Sequence, residues 1–296
     1  MRPTSSVAVG TPMRAIAAAL VVTTLLALPA VAQEPEFETT EIADGVYQFR
    51  YQFHNSLFVV GPDGVIAFDP ISSEAAVHYA AEIQRLAPDK RLLGLVYSHD
   101  HADHISGAPT LFRALGESPI IAHENAYAKI AAANDPVRPP PAITVTENAV
   151  LRLGGGVIEL HYLGKSHSDN MLVAYLPVPK IAFAVDFVSD DAVGYRSLPD
   201  WHYPELYEAI QRLQQIPFET IVFGHGPVGD RSSIDRQLEY YRELRDAVQE
   251  ALDSGASKEE AVERVRLPQY GEWRGYNDWF SMNVETMYDW LISNTE

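Results

Sequence analysis

The chain of 296 residues contains no cysteine. Disulfide bonds are therefore excluded, and the fold must be stabilised by its hydrophobic core and by any bound metal. Basic residues are also scarce, with 22 Lys and Arg against 40 Asp and Glu, and the formal net charge at pH 7 is −18. This imbalance argues against nucleic acid or anionic lipid as a partner. Bound divalent cations would offset part of the negative charge, and most of it is expected on a solvated surface.

The sequence also lacks an apolar run long enough to span a membrane. The segment that comes nearest to one lies near the amino terminus. Arg2 and Arg14 flank the start of this segment, residues 15–28 are apolar, and small residues follow up to Ala32. This order of charged, apolar and small residues predicts a secretory signal over residues 1–32. A retained anchor is the alternative, but the apolar stretch is shorter than the roughly 20 residues that span a membrane. We therefore predict an exported, periplasmic protein with no stable membrane association.

Alternating strand and helix patterns fill the rest of the chain. Strands are predicted at residues 46–51, 56–60, 65–69, 92–97, 119–122, 143–145, 150–153, 157–160, 171–176, 180–185 and 220–223. Helices are predicted from residue 73 and at residues 108–115, 124–133, 233–254 and 259–265. This alternation indicates an α/β architecture in which helices cover the faces of sheets.

Residues 33–296 are predicted to form a single domain. The proline-rich run at residues 136–141 offers an alternative domain boundary, since it is incompatible with a helix or a central strand. We prefer one domain with two similar strand-rich halves, because the second half supplies candidate ligands that the first half lacks.

Imidazoles and carboxylates crowd together directly after the apolar run at residues 92–97. His99, His101, Asp103 and His104 lie within six positions, although the whole chain has only ten histidines. A polar surface loop is the alternative explanation, but such clustering would be rare by chance. His99 and His101 point the same way on an extended segment, whereas Asp103 and His104 lie past the bend. The pattern predicts two metal ions, and the ligand types suit zinc, iron or manganese.

Three further candidate ligands lie at strand ends in the second half. His167 lies between two predicted strands, Asp186 ends the apolar run at residues 181–185, and His225 follows the strand at residues 220–223. A rigid sheet fixes the geometry of groups at the ends of its strands, as metal coordination requires. Each of the three alone could equally be an ordinary turn or loop residue.

Together these residues resemble the metallo-β-lactamase superfamily, whose pattern is HxHxDH, then a His, an Asp or Cys, and a final His. The resemblance implies an αβ/βα four-layer sandwich with the site along one edge of the paired sheets. It assigns one metal to His99, His101 and His167, and a second metal to Asp103, His104 and His225, with Asp186 bridging. It also implies two zinc ions and a hydroxide held between them, which would attack a carbonyl. Asp103 would be the catalytic residue that orients this hydroxide or transfers its proton.

Departures from the pattern narrow the expected activity. Asp186 stands where some β-lactamases have a cysteine ligand, and Ser189 stands where they tend to carry a lysine that binds the antibiotic's carboxylate. Lys165 or Arg196 would have to replace that lysine. A bridging Asp resembles glyoxalase-II-like thioesterases and acyl-homoserine lactonases.

The leading hypothesis is thus a secreted dinuclear zinc hydrolase that cleaves an ester, thioester, lactone or amide bond in a small-molecule substrate. One alternative is a β-lactamase. A second is a mononuclear iron oxygenase similar to persulfide dioxygenases, and a third is a non-catalytic metal-binding protein.

The carboxyl-terminal segment at about residues 233–296 is helical in pattern and rich in aromatic residues. At helical spacing such residues usually pack in a core. A segment that closed over the site could instead use Trp273 and Tyr276 to bind an acyl or aromatic substrate.

Overall fold

Two β-sheets form the centre of the fold. The computed structural model describes Met1 and residues 36–153 and 156–294, and Pro35–Glu296 forms one compact unit. The first sheet has seven strands in chain order: β1 (Phe37–Ala43), β2 (Val46–Tyr51), β3 (His54–Val60), β4 (Val65–Phe68), β5 (Leu92–Val96), β6 (Ile120–His123) and β7 (Ile143–Val145). The second sheet has six: β8 (Asn148–Leu153), β9 (Gly156–Tyr162), β10 (Leu172–Leu176), β11 (Ile181–Ala184), β12 (Thr220–Phe223) and β13 (Gly229–Asp230).

Eight α-helices are described, and several of them connect parallel strands. They are α1 (Ser73–Leu86), α2 (Ala102–Ile105), α3 (Ala108–Leu115), α4 (Glu124–Ala133), α5 (Glu205–Gln215), α6 (Arg231–Asp253), α7 (Lys258–Arg264) and α8 (Tyr276–Ser293). Strands β4 to β7 run parallel, as do β11 and β12. Parallel neighbours need a crossover, which α1, α3 and α4 supply in the first sheet and α5 supplies in the second.

The side chains of β4 show how the layers form. Val65 and Ala67 face the core shared with α1 and α3, whereas Ile66 and Phe68 face the second sheet. Successive residues of a strand point to opposite faces, so a strand that is apolar at every position is buried on both sides. The ring of Phe68 meets that of Phe183 on β11 with centroids 5.6 Å apart. Helices α5, α6 and α8 contribute to the core on the other side of the second sheet.

The predicted αβ/βα sandwich is confirmed, and most predicted elements lie within two residues of the observed ones. The predicted signal at residues 1–32 falls, apart from Met1, outside the described residues. Among the residues that the structure describes, no helix combines the length and apolar character that crossing a membrane requires. Strands β1 and β13 and helices α2 and α5 were not predicted, and the aromatic tail proves to contain the long helix α8.

Candidate metal centre

All seven predicted ligands lie next to strand ends, and the structure brings them together. His99 and His101 lie on the loop after β5, Asp103 and His104 on α2, His167 between β9 and β10, Asp186 just after β11, and His225 just after β12. They form two groups that share Asp186: His99, His101, His167 and Asp186 in the first, and Asp103, His104, Asp186 and His225 in the second. Within each group the potential ligand atoms all lie within 4.8 Å of one another.

The first group has the spacing of ligands around a single ion. His167 Nε2 lies 3.1 Å from His101 Nδ1 and 3.6 Å from Asp186 Oδ2. His99 Nε2 lies 3.5 Å from the same carboxylate oxygen. Two ligands of a tetrahedral zinc ion, each about 2.0–2.1 Å from the metal, are about 3.3 Å apart. Ser98 Oγ contacts His99 Nδ1 at 2.9 Å, which leaves Nε2 to face the group.

The second group surrounds the other side of Asp186. His104 Nε2 lies 3.1 Å from Asp186 Oδ2, and His225 Nε2 lies 3.1 Å from Asp186 Oδ1. Asp103 Oδ2 is 3.6 Å from His104 Nε2 and 4.0 Å from His225 Nε2. Asp186 therefore presents its carboxylate to both groups.

Two backbone features allow this close approach. Asp186 lies two residues after the end of β11 and has a φ of 62°, in the left-handed region that a residue with a Cβ adopts only at some cost. Gly224 precedes His225, and a Cβ at this position would lie 2.8 Å from Asp186 Oδ1. A side chain there would push the His225 loop away from Asp186.

Asp69 is a functional candidate that the sequence interpretation missed. It is fully buried at the end of β4, where Oδ1 accepts a hydrogen bond from Ser98 N at 2.8 Å and Oδ2 lies 3.8 Å from His104 Nδ1. Asp69 Oδ2 and His104 Nδ1 make no hydrogen bond at this distance, so Asp69 acts on His104 through its charge, which raises the basicity of the imidazole. The available signal was the same as for Asp186, namely an acidic residue that ends a wholly apolar strand.

His54, the first residue of β3, also belongs to the cluster. Its Nε2 lies 3.4 Å from Asp103 Oδ2, and its ring centroid is 4.4 Å from that of His225. Nothing in the local sequence marks this histidine, because its neighbours are those of an ordinary turn. Pairing between the sheets, through the bridge between His54 and His225, brings it to the site.

The charges of the cluster shift its pKa values in opposite directions when no metal is bound. Burial and the neighbouring charged imidazoles hold the pKa of His99 well below its usual range, and burial also lowers that of His167. Burial opposes the charged form of His104 as well, but the carboxylates of Asp186, Asp69 and Asp103 outweigh it and raise the pKa to about 9.

Burial and the neighbouring charges also shift the pKa values of the carboxylates. Burial raises the pKa of Asp69 to about 6, although the charge of His104 and the hydrogen bonds from Ser98 oppose this shift. Desolvation also favours the neutral forms of Asp103 and Asp186, but the surrounding imidazoles outweigh it and hold both pKa values well below the usual range. Asp103 and Asp186 are therefore anionic at neutral pH, as metal ligands must be.

Buried atoms without partners support a metal at this place. His99 Nε2, His104 Nε2 and Asp186 Oδ1 are buried, and none makes a hydrogen bond of acceptable geometry within the described residues. Buried polar atoms in folded proteins are almost always satisfied. Cations between the two groups would satisfy all three, and imidazole with carboxylate suits zinc. The residues therefore fit divalent metal, while the assignment of individual ligands stays a prediction.

A cavity of about 770 Å³ opens beside the cluster. Besides predicted ligands, its lining includes Phe53, His54, Tyr241, Arg274, Trp279 and residues 187–189, 192–195 and 198–201. Trp273 and Tyr276, for which substrate contact was the alternative to core packing, do not line the cavity. They belong to the core around α6 and α8, where Tyr276 Oη accepts a hydrogen bond from Leu267 N at 3.2 Å.

The residues suggested as substitutes for the lactamase lysine are also not part of the cavity wall. Neither Lys165 nor Arg196 lines the cavity, and the guanidinium of Arg196 lies over the ring of Tyr195, 4.9 Å from its centroid. Arg274, from the carboxyl-terminal segment, lines it instead.

Comparison with known proteins identifies the family. The family model described as the metallo-beta-lactamase superfamily matches residues 50–225, which include all seven predicted ligands. The chain therefore belongs to this superfamily, whose members are mostly metal-dependent hydrolases that bind divalent metals, usually zinc.

Individual relatives carry names that indicate different activities. The 2,4-dinitroanisole O-demethylase subunit alpha of Nocardioides sp. is 25% identical over 268 residues, covering 88% of this chain and 81% of its own. A metallo-beta-lactamase type 2 of Bacillus cereus is 26% identical over 189 residues, covering 62% of this chain and 72% of its own. The solved metallo-beta-lactamase from Pontibacter korlensis superposes with a TM-score of 0.60 at 24% identity, over 69% of this chain and 97% of its own, which supports the fold.

Proposed function

We propose that this chain is an exported dinuclear zinc hydrolase that cleaves an ester, thioester, lactone or amide bond in a small molecule. The observation that carries the proposal is the position of Asp186. Its Oδ2 lies 3.5 Å from His99 Nε2 in one group, and its Oδ1 lies 3.1 Å from His225 Nε2 in the other. A carboxylate between two sets of nitrogen ligands suits two cations, because its negative charge reduces their mutual repulsion.

The chain's own residues supply the remaining parts of a hydrolytic site. Two zinc ions, when bound, would supply Lewis acidity and a water whose pKa lies near 7. Asp103 is ionised and its side chain is 53% exposed, so Oδ2 can accept a proton from the attacking water and pass it to the leaving group. His54 contacts this same oxygen and holds it in place. The apolar cavity wall would exclude bulk water from the reacting bond.

β-Lactam hydrolysis is a second candidate, favoured by the Bacillus relatives. Asp186 in place of a cysteine and the positions of Lys165 and Arg196 make it the weaker one. A mononuclear iron oxygenase would leave His104 and His225 without a role, although both lie 3.1 Å from Asp186. This contact favours the dinuclear hydrolase.

Metal analysis and turnover test the proposal together. Two zinc ions per chain are expected, with activity lost to a chelator and restored by zinc. The substrate panel is nitrocefin, an acyl-homoserine lactone, S-lactoylglutathione and a nitrophenyl ester. His101→Ala should sharply lower zinc affinity, whereas His161→Ala, which removes a histidine outside the cluster, should not. A single iron per chain with oxygen uptake on a persulfide would refute the hydrolase.

Asp186→Asn tests the bridging position directly. Loss of the shared negative charge should reduce the zinc content from two ions to one and abolish turnover, while the circular dichroism spectrum stays close to wild type. Asp186→Cys supplies a thiolate that can bind one ion without spanning both, so two zinc ions with altered turnover are expected. Two zinc ions and a normal rate in Asp186→Asn would show that Asp186 does not bridge.

Export is proposed from residues 1–32 alone. Expression of the full chain in a bacterium should yield a periplasmic product that begins at Gln33. Amino-terminal sequencing of that product, beside a variant with Leu25→Arg in the apolar stretch, checks the prediction. A full-length product in the cytoplasm would contradict it.

A further inference from the structure

We propose that Arg274 is an anion-binding residue of the cavity, so that the site takes an amphipathic substrate with an apolar body and a carboxylate. This inference deepens the proposed function and rests on it for the reaction. Arg274 lies outside residues 50–225, the part of the chain that the family model matches. Its role follows from three features: a fixed backbone, a guanidinium against the loop that carries His225, and the lack of a directly contacting partner among the described residues.

The backbone of Arg274 is held against the cavity wall. Arg274 N donates to Asp191 O at 2.9 Å, and Val193 N donates to Arg274 O at 3.1 Å, forming a parallel bridge with the segment around Ala192. Gly275 follows with a φ of 79° and turns the chain into α8. These constraints fix the point from which the side chain enters the cavity.

The guanidinium lies directly on the loop that carries His225. A Cβ at Gly226 would be 2.4 Å from Arg274 Nη1 and 3.2 Å from its Cζ. Gly226 itself has a φ of 89°, a conformation that suits glycine. The absence of a side chain at this position lets a cation approach the edge of the metal cluster.

No acceptor contacts this cation directly within the described part of the chain, although the charge of Asp190 acts on it from a distance. Its guanidinium makes no hydrogen bond, ion pair or ring contact there. The nearby acids are taken by a different arginine, since Arg236 contacts Asp190 at 2.7 Å and Asp191 at 2.6 Å. Asp200 also lines the cavity and is not paired with Arg274.

Burial lowers the pKa of Arg274, but an arginine stays charged at neutral pH. A partly desolvated cation without a partner is unfavourable unless a ligand supplies the anion. A carboxylate matches the planar guanidinium with two parallel hydrogen bonds.

The rest of the wall defines the other half of the substrate. Aromatic and aliphatic side chains line the cavity around the metal cluster: Phe53, Phe187, Val193, Leu198, Trp201 and Trp279. Of these, Phe53 is 74% exposed and is available to cover a bound ligand. An apolar or aromatic body would remove this surface from water, while Arg274 orients the molecule through its carboxylate.

Binding of two probes that resist hydrolysis tests the assignment. Hydrocinnamate carries a phenyl ring and a carboxylate, and benzylacetone replaces the carboxylate by a neutral methyl ketone. Calorimetry on the zinc-loaded protein should show tighter binding of hydrocinnamate. Arg274→Met should weaken hydrocinnamate by about tenfold or more and leave benzylacetone within about twofold, because a charge-assisted pair is lost. Arg264→Met, which removes an exposed charge on α7, is the matched control.

Arg274→Lys is a second variant for the case that Arg274→Met fails to fold. It keeps the positive charge but lacks the planar guanidinium. It should retain part of the preference for hydrocinnamate. Equal hydrocinnamate affinity in wild type and Arg274→Met would overturn the proposal, because the carboxylate would then bind elsewhere, for example at the metals. Binding without any turnover on the panel would refute the hydrolase and leave the anion site standing.

Discussion

Asp69 and Asp186 occupy similar positions after buried strands but have different contacts. Each carboxylate follows an apolar strand that is buried at every position, β4 for Asp69 and β11 for Asp186. Asp186 faces both ligand groups, whereas Asp69 contacts only the far nitrogen of His104. The two carboxylates lie on opposite sides of the His104 imidazole, with Asp69 near Nδ1 and Asp186 near Nε2. We therefore expect Asp69 to act on the second group through its charge, by raising the basicity of His104.

Asp69→Asn should weaken zinc at the second group selectively. The amide keeps nearly the same shape but removes the charge that faces His104, and loss of such a partner typically costs about 10- to 100-fold in metal affinity. Competition with a chromophoric chelator should show one weakened and one normal zinc ion. Asp63→Asn, on the turn between β3 and β4, is the control. Equal weakening of both ions would contradict the assignment of Asp69 to His104.

Helices and strands with strong local patterns could be predicted, and segments placed by distant contacts could not. Helix α1 shows the helical period and begins after Ser72, whose side chain accepts a hydrogen bond from Ala75 N at 3.2 Å. Helix α5 was overlooked although Leu206, Ile210 and Leu213 are spaced for one buried face.

The residues of the candidate site also fall into two sets, those that the local sequence predicts and those that only distant contacts place. The seven predicted ligands could be selected from the sequence because they are chemically distinctive and come after strands; the structure brings them together, and their role as ligands stays a prediction. Arg274 and His54 carry no local signal, and only the packing of α8 and the pairing of the sheets place them at the cavity.

Helix α8 fixes the cavity wall through the fully buried Asn283. Its Oδ1 accepts from Tyr240 Oη at 2.7 Å, and its Nδ2 donates to the carbonyl oxygens of Gly194 at 2.9 Å and Arg196 at 2.8 Å. One amide thus joins α6, α8 and the loop that forms the wall. This connection explains how the carboxyl-terminal helices shape a site whose predicted metal ligands all precede them.

Asn283→Ala should lower the free energy of unfolding by about 2–4 kcal/mol, because it leaves buried carbonyl and hydroxyl groups without partners. It should also raise KM more than it lowers kcat, since the cavity wall loosens while the metal cluster stays intact. Urea denaturation and steady-state kinetics measure the two effects. Asn294→Ala, at the exposed end of the same helix, should change neither. A stable variant with unchanged KM would mean that the wall is held by other contacts.

Across the molecule, the site lies at the junction of the two sheets. Asn55 on β3 of the first sheet donates from Nδ2 to Phe223 O at 2.9 Å and to Gly226 O at 2.7 Å, on either side of His225. Four predicted ligands follow β5 of the first sheet, and the other three belong to loops of the second. A metal bound by both sets would join the sheets, so metal binding should contribute to the stability of the entire fold.

This coupling should depend on pH in a defined window. The pKa of His104 is about 9 in the folded protein without metal, against 6.5 ordinarily, so its protonation contributes stability that is complete below pH 6.5 and lost as the pH rises to about 9. The lowered pKa values of His99 and His167 act below pH 6.5, and Asp69, with a pKa of about 6, has lost most of its proton by about pH 7. Between about pH 7 and 9 the contribution of His104 is therefore separated from those of these three neighbours.

Thermal unfolding across this window provides the measurement. In the chelated protein the midpoint should fall as the pH rises from 6.5 to 9, because folded His104 loses its proton. In the zinc-loaded protein His104 would bind metal as the neutral imidazole and have no such proton to lose, so the stabilisation by zinc should grow over the same range. Chelated His104→Gln should lack the decline, whereas chelated His161→Gln should keep it. Parallel midpoint curves with and without zinc would show that His104 is not a ligand and that the second group holds no metal.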